Sequence, residues 1–222
     1  VYGHVIHTEP RDMYSPRCIS IGAGLADTAP AFQVNRLCGS GLQAILSGIQ
    51  LIQLGDATAV LAGGVEVMSR GPYILPAHRW GARMGDSGLT DMLLGALHDP
   101  FGIGHMGITA ENVAQDYNIS RASMDEFAAE SQTRASAAQS AGYFKEQIVP
   151  LTVKQGRKEI NFESDEFIRG ETTFDSLANL RPAFAKDGLV TAGNSSGIND
   201  GSATVILADA NKIISHNATP MA

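Results

Sequence analysis

Cys38 is the residue whose surroundings point most clearly to chemistry, because it lies where a predicted strand turns into a predicted helix. Backbone N–H groups at the start of a helix stabilise a thiolate and can hold the oxyanion that forms when the thiolate attacks a carbonyl. Gly39 and Gly41 leave room where a substrate and the backbone must approach each other. The pattern therefore predicts a nucleophilic cysteine on a strand–turn–helix elbow. The alternative is a small buried cysteine that only fills space.

The other candidate residues give weaker signals. His105 follows a glycine-broken loop and precedes a helix, which suits a side chain that reaches into a cleft, but an ordinary loop histidine fits equally well. Cys18 lies in an apolar helical stretch and is predicted to belong to the core. A polar, glycine-rich loop at residues 192–201 could bind an amide-bearing ligand or simply make turns. No metal site is expected, because five further histidines lack metal-ligand spacing: His4, His7, His78, His98 and His216.

Hydrophobic patterning predicts an α/β framework that positions these residues. A helix is predicted over residues 39–53, with a buried stripe formed by Leu42, Ile45, Leu46, Ile49 and Ile52. Strands are predicted before and after this helix, at residues 1–6, 31–34 and 58–62. A strand–helix–strand unit of this kind favours a parallel sheet. Glycines and prolines in residues 69–107 leave room for short helices only. Two longer helices and three strands follow, at residues 109–117, 120–142, 148–153, 159–162 and 203–207.

Composition excludes several classes of protein. The 222 residues include 16 basic and 23 acidic side chains, and the net charge of -7 makes the chain a poor general binder of nucleic acid or of anionic membranes. No apolar run approaches the ~18 residues that span a bilayer, and no signal-peptide pattern is visible. Two cysteines cannot build a disulfide framework. A reduced, cytoplasmic protein is therefore expected.

Four ordered motifs resemble those of the thiolase family, and the resemblance extends over essentially the whole chain. They are NRLCGSG at residues 35–41, GGVEVMS at 63–69, HMGITAEN at 105–112 and AGNSSGINDG at 192–201. Within the family the chain is most similar to biosynthetic β-ketothiolases (acetyl-CoA acetyltransferases). The resemblance implies reversible Claisen condensation of acyl-CoA with acetyl-CoA to 3-oxoacyl-CoA, or cleavage of that product by CoA, through an acyl group on Cys38. Coenzyme A and acyl-CoA are then substrates, and no permanently bound cofactor is implied.

The resemblance also assigns binding residues. Positions implied to contact CoA, to line its pantetheine channel or to lie near the acyl group are Leu97, His105, Met106, Arg169, Ser176, Leu180, Ala183, Phe184, Ala192 and Ser196. Ser195 stands where alanine is common in the family. Residues 70–94 resemble the segment through which family members build tetramers. A homo-oligomer, dimer or tetramer, and a place in fatty acid metabolism are implied in the same way.

The implied fold is of the α/β class, the layered αβαβα fold of thiolases. Only the core of its N-terminal half is expected, without the first strand and helix, together with an inserted loop domain. Residues 1–67 and 199–222 are assigned to the core, and residues 68–198 to the CoA-binding loop domain with its tetramerisation segment. The C-terminal thiolase domain is expected to be absent, because its Asn-Glu-Ala-Phe, Gly-His-Pro and Cys-x-Gly-Gly runs do not occur. The sequence is expected to be a fragment of a longer enzyme or a short form that has lost catalysis.

Two alternative functions stay open from the sequence. One is a non-catalytic thiolase-like chain that binds CoA or partner subunits, as the missing C-terminal motifs suggest. The other is a cysteine hydrolase in which His105 activates Cys38, and this requires the imidazole within one hydrogen bond of the sulfur.

Overall fold

A computed structural model describes residues 1–222, and the chain divides into two compact units. The core unit comprises Val1–Leu97 and Ile198–Ala222, and the inserted unit comprises His98–Gly197. The core unit therefore extends further along the chain than the predicted boundary at residue 67, while the assignment of residues 68–198 as one CoA-binding domain stays a prediction. No helix in either unit is both long enough and apolar enough to cross a membrane.

A four-stranded mixed sheet forms the centre of the core unit. Its strands are numbered along the chain. Across the sheet they follow the order β10 (Asp200–Ala208), β3 (Ala59–Val67), β1 (Tyr2–Gly3) and β2 (Gln33–Val34). β1 is parallel to both β2 and β3, which confirms the predicted strand–helix–strand unit. β10 runs antiparallel to β3, with Val67 opposite Asp200, a direction that was not predicted. β3 also continues past Gly63, where it was expected to end.

Helix α2, Ser40–Gln53, packs on this sheet with its small residues rather than with its large ones. Its buried residues are Ser40, Ala44 and Gly48, whereas three residues of the predicted buried stripe are exposed: Leu42, Leu46 and Ile49. A side chain at Gly48 would place its Cβ only 2.7 Å from Leu207 of β10. The predicted stripe is therefore wrong, because the close approach of helix and sheet admits only small side chains. The helix ends as predicted, with Gly55 in the left-handed region at a φ of 79°.

The rest of the core unit consists of short elements. The 3₁₀ turn Pro10–Tyr14 leads into helix α1, Ser15–Gly22. The two-residue ladder of β4, Tyr73–Ile74, with β5, Thr90–Asp91, leads into helix α3, Met92–Ala96. Two more 3₁₀ turns, Met68–Arg70 and His78–Trp80, and the final helix α7, Ala210–Ser215, complete it. Cys18 in α1 is half-buried rather than part of the core as predicted.

The inserted unit is mainly helical. Its elements are β6, His98–Asp99, paired with β7, Gly104–His105; α4, Met106–Asp116; α5, Arg121–Ser140; the hairpin of β8, Leu151–Gln155, with β9, Lys158–Phe162; and α6, Phe174–Ala178. Ser120 caps α5 as predicted, because its Oγ accepts the Ser123 N–H at 3.1 Å. The polar segment at residues 189–197 has no helix or strand and pairs with the chain before it through a bridge between Pro182 and Thr191.

Candidate active site

Cys38 lies at the tip of a tight, internally bonded turn between β2 and α2, and its side chain is exposed. Leu37 adopts a φ of 48°, a left-handed conformation that costs a non-glycine residue roughly 1–2 kcal/mol. The buried Ser40 braces this conformation, because its Oγ donates to the Leu37 carbonyl at 2.6 Å and accepts the Arg36 N–H at 2.8 Å. The strand–turn–helix elbow predicted around Cys38 is therefore present, and the cysteine is not a buried space filler.

The first N–H groups of the elbow are used by the turn itself. The Gly39 N–H donates to the Arg36 carbonyl at 3.1 Å, and the Ser40 N–H donates to the Leu37 carbonyl at 2.9 Å. The prediction of unpaired N–H groups therefore does not apply to these two positions. These two donors are therefore not free to bind a substrate oxyanion.

Cys38 opens onto a cavity of about 610 Å³ within the core unit. The lining comes from the ends of β1, β3 and β10, from the elbow and from α3, which contributes Leu93, Ala96 and Leu97. Most of these side chains are apolar, and Glu66 is the only carboxylate among the lining residues. Leu97, a predicted neighbour of the acyl group, therefore shares the cavity of Cys38. Such a space fits a slender, largely uncharged substrate arm.

Glu66 ties the cavity wall to the end of β1, a role that the sequence did not reveal. Its Oε2 accepts the Val5 N–H and its Oε1 accepts the Ile6 N–H, each at 3.0 Å. Behind it lies His4, which is only 3% exposed and holds its Nε2 3.6 Å from Glu66 Oε1. One sequence signal could have identified Glu66: it is a charged residue in an apolar strand, next to Gly63 and Gly64. A charged residue in such a place needs a buried partner.

His105 is the centre of a second group of predicted residues, in the inserted unit. Its Nδ1 accepts the Gly107 N–H at 3.0 Å, which caps α4, and its ring stacks on Phe184 with centroids 4.8 Å apart and planes at 18°. A side chain at Gly107 would collide with the Phe184 ring. The structure thus brings together His105, Phe184 and the adjacent, exposed Met106. The His98 ring meets His105 edge-on at 5.1 Å.

The other predicted binding residues lie on the surface of the inserted unit. All of them are exposed: Arg169, Ser176, Leu180, Ala183, Ala192 and Ser196. Arg169 holds its guanidinium carbon 5.8 Å from the centroid of the Phe167 ring. Ser176 also has a local structural task, because it forms a reciprocal capping box with Thr173 at the start of α6. No three His, Cys, Asp or Glu side chains are grouped so that they could hold a metal ion.

Comparison with known proteins gives a consistent set of relatives. Residues 1–211 match the family described as "Thiolase, N-terminal domain". The β-ketothiolase BktB of Cupriavidus necator is 58% identical over 208 residues, which cover 93% of this chain and 53% of that protein. An acetyl-CoA acetyltransferase of the same organism is 48% identical with the same coverage. The chain spans about half the length of the curated relatives that it matches.

Solved structures give the same result. Human mitochondrial 3-ketoacyl-CoA thiolase is similar with a TM-score of 0.95 and 40% identity, covering 99% of this chain and 56% of the human chain. The structure of that human enzyme in complex with CoA is similar with a TM-score of 0.93, covering 99% of this chain and 55% of the other.

Proposed function

The chain belongs to the thiolase family, and from this membership we propose that it forms part of an acyltransferase that makes and cleaves 3-oxoacyl-CoA through an acyl group on Cys38. One observation carries the proposal: Cys38 is exposed at the start of α2 and opens onto an apolar cavity of about 610 Å³. The relatives named as β-ketothiolase and acetyl-CoA acetyltransferase support the same chemistry.

The half-reaction proposed for Cys38 is a thioester exchange. Its thiolate attacks the carbonyl carbon of acyl-CoA, a new carbon–sulfur bond forms to Cys38, and the bond to the CoA sulfur breaks, so that CoA leaves as its thiolate. One thioester replaces another, and the step is close to balanced in free energy. The start of α2 lies next to the sulfur and favours the negative charge of both the thiolate and the tetrahedral oxyanion.

The acyl-CoA contacts proposed for this chain fall into two classes. In the core unit, Leu97 supplies apolar surface in the lining of the Cys38 cavity. In the inserted unit, His105, Met106 and Phe184 supply apolar and aromatic surface for the acyl and pantetheine parts. The exposed surface of the inserted unit supplies the rest, from Arg169, Ser176, Leu180, Ala183, Ala192 and Ser196. Arg169 supplies the positive charge that an anionic substrate requires in a chain with a net charge of -7. The human relative whose structure holds CoA supports this substrate class.

The acyl-enzyme is tested by intact mass spectrometry, with the two cysteines as matched variants. The full-length protein is incubated with acetyl-CoA and the bound acetyl groups are counted from the mass. Wild type and Cys18→Ala should each gain one acetyl group, and Cys38→Ala should gain none. Acetylation that survives in Cys38→Ala would overturn the assignment. Wild type that gains no acetyl group would instead favour the non-catalytic alternative.

The remaining proposals concern location and assembly. The protein is placed in the cytoplasm, in fatty acid metabolism, and in a homo-oligomer, dimer or tetramer, formed through residues 70–94. Exposed apolar side chains in that segment support the oligomer, above all Trp80, which is 90% exposed, and the fully exposed Met84.

A further inference from the structure

Residues 188–195 of the inserted unit are held by two acidic side chains from two successive helices. The first is Glu111 of α4. Its carboxylate accepts the Leu189 N–H at both oxygens, at 3.0 and 2.9 Å, and its Oε1 also accepts the Val190 N–H at 2.8 Å. The backbone can approach the carboxylate this closely only because residue 188 is glycine, since a Cβ there would collide with Glu111 Oε1.

The second acidic side chain is Asp125 of α5, which is 1% exposed. Its Oδ2 accepts from Arg121 Nε at 2.7 Å, and its Oδ1 accepts from Asn194 Nδ2 at 2.9 Å. Arg121 in turn donates through Nη2 to the carbonyls of Leu177 at 2.7 Å and Leu180 at 3.0 Å. A buried carboxylate is tolerated only when it is paired in this way, so the contact to Asn194 is a fixed part of the interior.

Asn194 passes this restraint to the rest of the segment. Its Oδ1 accepts the Thr191 N–H at 2.7 Å and its Nδ2 also donates to the Leu189 carbonyl at 3.2 Å. Thr191, which is fully buried, accepts the N–H groups of Gly193 and Asn194 at its Oγ1. The Ala183 N–H donates to the Val190 carbonyl at 2.9 Å, which joins the same segment to the chain before Phe184.

We propose that Glu111 and Asp125 are positioning residues that together fix residues 188–195, and through them Ala192, Ser196 and Ala183, in the conformation that receives CoA. This inference rests on the proposed function, because it takes these three residues as CoA contacts. Protein donors occupy both carboxylates, which act by removing conformational freedom that CoA binding would otherwise have to restrict. Two of the sequence motifs, HMGITAEN and AGNSSGINDG, are thereby connected through Leu189, whose N–H donates to Glu111 and whose carbonyl accepts from Asn194.

The test compares steady-state kinetics and amide hydrogen exchange in Asp125→Asn and Glu111→Gln. Asp125→Asn places an amide among donors only, Arg121 and Asn194, so one repulsive donor–donor contact is unavoidable. Glu111→Gln keeps one acceptor and should be milder. KM for CoA should rise by roughly three- to tenfold, more in Asp125→Asn, with kcat changed by less than about twofold, because uniform binding is lost rather than transition-state stabilisation. Exchange of the Leu189, Val190 and Thr191 amides should accelerate.

The controls separate positioning from general loss of stability. Glu130→Gln alters an exposed carboxylate on the same helix α5, which pairs only with Arg134, and should change neither KM nor exchange. Asp125→Asn combined with Asn194→Asp restores a donor facing an acceptor at this contact but loses the bond from residue 194 to the Leu189 carbonyl, so it should recover part of the KM loss rather than all of it. Unchanged KM and exchange in both single variants would overturn the proposal. Wild type that does not acetylate Cys38 would refute the proposed function instead, and the exchange data would still decide whether the two carboxylates fix the segment.

Discussion

The backbone of Gly3 lies directly against Ser40, the first residue of helix α2. A Cβ placed on Gly3 would be 2.6 Å from the Ser40 carbonyl carbon and 2.7 Å from Ser40 Cβ, closer than real side chains approach. Ser40 is the residue that braces the turn carrying Cys38. The end of β1 therefore limits how closely the elbow can approach the sheet.

Gly3→Ala should displace this elbow. The added methyl group cannot be accommodated without moving Ser40, so we expect a loss of about 1–3 kcal/mol in the free energy of unfolding, measured with urea. A shift of Cys38 by even ~1 Å can slow its reaction by ~10²-fold, which the rate of acetylation by acetyl-CoA would report. Gly22→Ala is the matched control, because a Cβ there meets nothing within 4 Å. Equal stability and equal acetylation rates in the two variants would show that Gly3 does not position the elbow.

Gly107→Ala should disturb the aromatic contact beside the predicted acyl site. The new Cβ would collide with the Phe184 ring, so the ring must leave its stack on His105. We expect a loss of about 1–3 kcal/mol in stability and a raised KM for acyl-CoA. A double-mutant cycle supplies the check: in a Phe184→Ala background the same substitution should cost clearly less. An unchanged cost in that background would show that Phe184 is not the cause.

Ser69 and Asp200 join the ends of β3 and β10 and give the core unit a pH-dependent contact. Hydrogen bonds from the Ser69 hydroxyl at 2.5 Å and from its N–H at 2.9 Å lower the pKa of Asp200 from its ordinary value of 3.8. A carboxylate whose pKa is depressed on folding contributes stability that is present above its unfolded pKa and lost as the pH falls through the folded pKa. The contribution is small, at most about 1 kcal/mol, because the pair is exposed and screened by solvent.

Ser69→Ala should therefore be less stable than wild type at pH 7, and the difference should shrink as the pH falls below about 4. Urea unfolding at pH 7 and at pH 3 measures this stability difference. The comparison with wild type matters because the pKa of Asp12 is also lowered. Burial raises the pKa of Asp12, but hydrogen bonds from Thr8 and from the Glu9 backbone outweigh the effect of burial. That contribution is common to both proteins and cancels in the difference. A stability difference that stays constant down to pH 3 would rule out the Asp200 carboxylate as its source.

The thiolase fold was predictable from the resemblance of four motifs and the elbow at Cys38 from its local pattern, and both are confirmed. The packing face of α2 was not. Hydrophobic period identifies a helix, but it cannot tell which face a sheet will cover when that sheet comes so close that only Ser40, Ala44 and Gly48 fit. The exposed large residues then lie on the opposite side of the helix.

The buried acidic residues were also missed, for a different reason. Arg121 lies one helical turn before Asp125, but Asn194, the other partner, lies far along the chain. Only the tertiary structure brings such residues together, and composition gives no sign that a given carboxylate is 1% exposed. The roles of the predicted site residues stay predictions until the variants above are measured.

Trp80 and Met84 provide the test of assembly through residues 70–94. Trp80 is 90% exposed and Met84 is fully exposed, an arrangement that leaves large apolar area in water unless another subunit covers it. Trp80→Ser combined with Met84→Ser should lower the molar mass measured by light scattering at a fixed protein concentration. Phe101→Ser combined with Met221→Ser removes an equally exposed aromatic residue and methionine outside the segment, and it should leave the mass unchanged. Identical masses for both double variants and for wild type would show that this segment does not hold the subunits together.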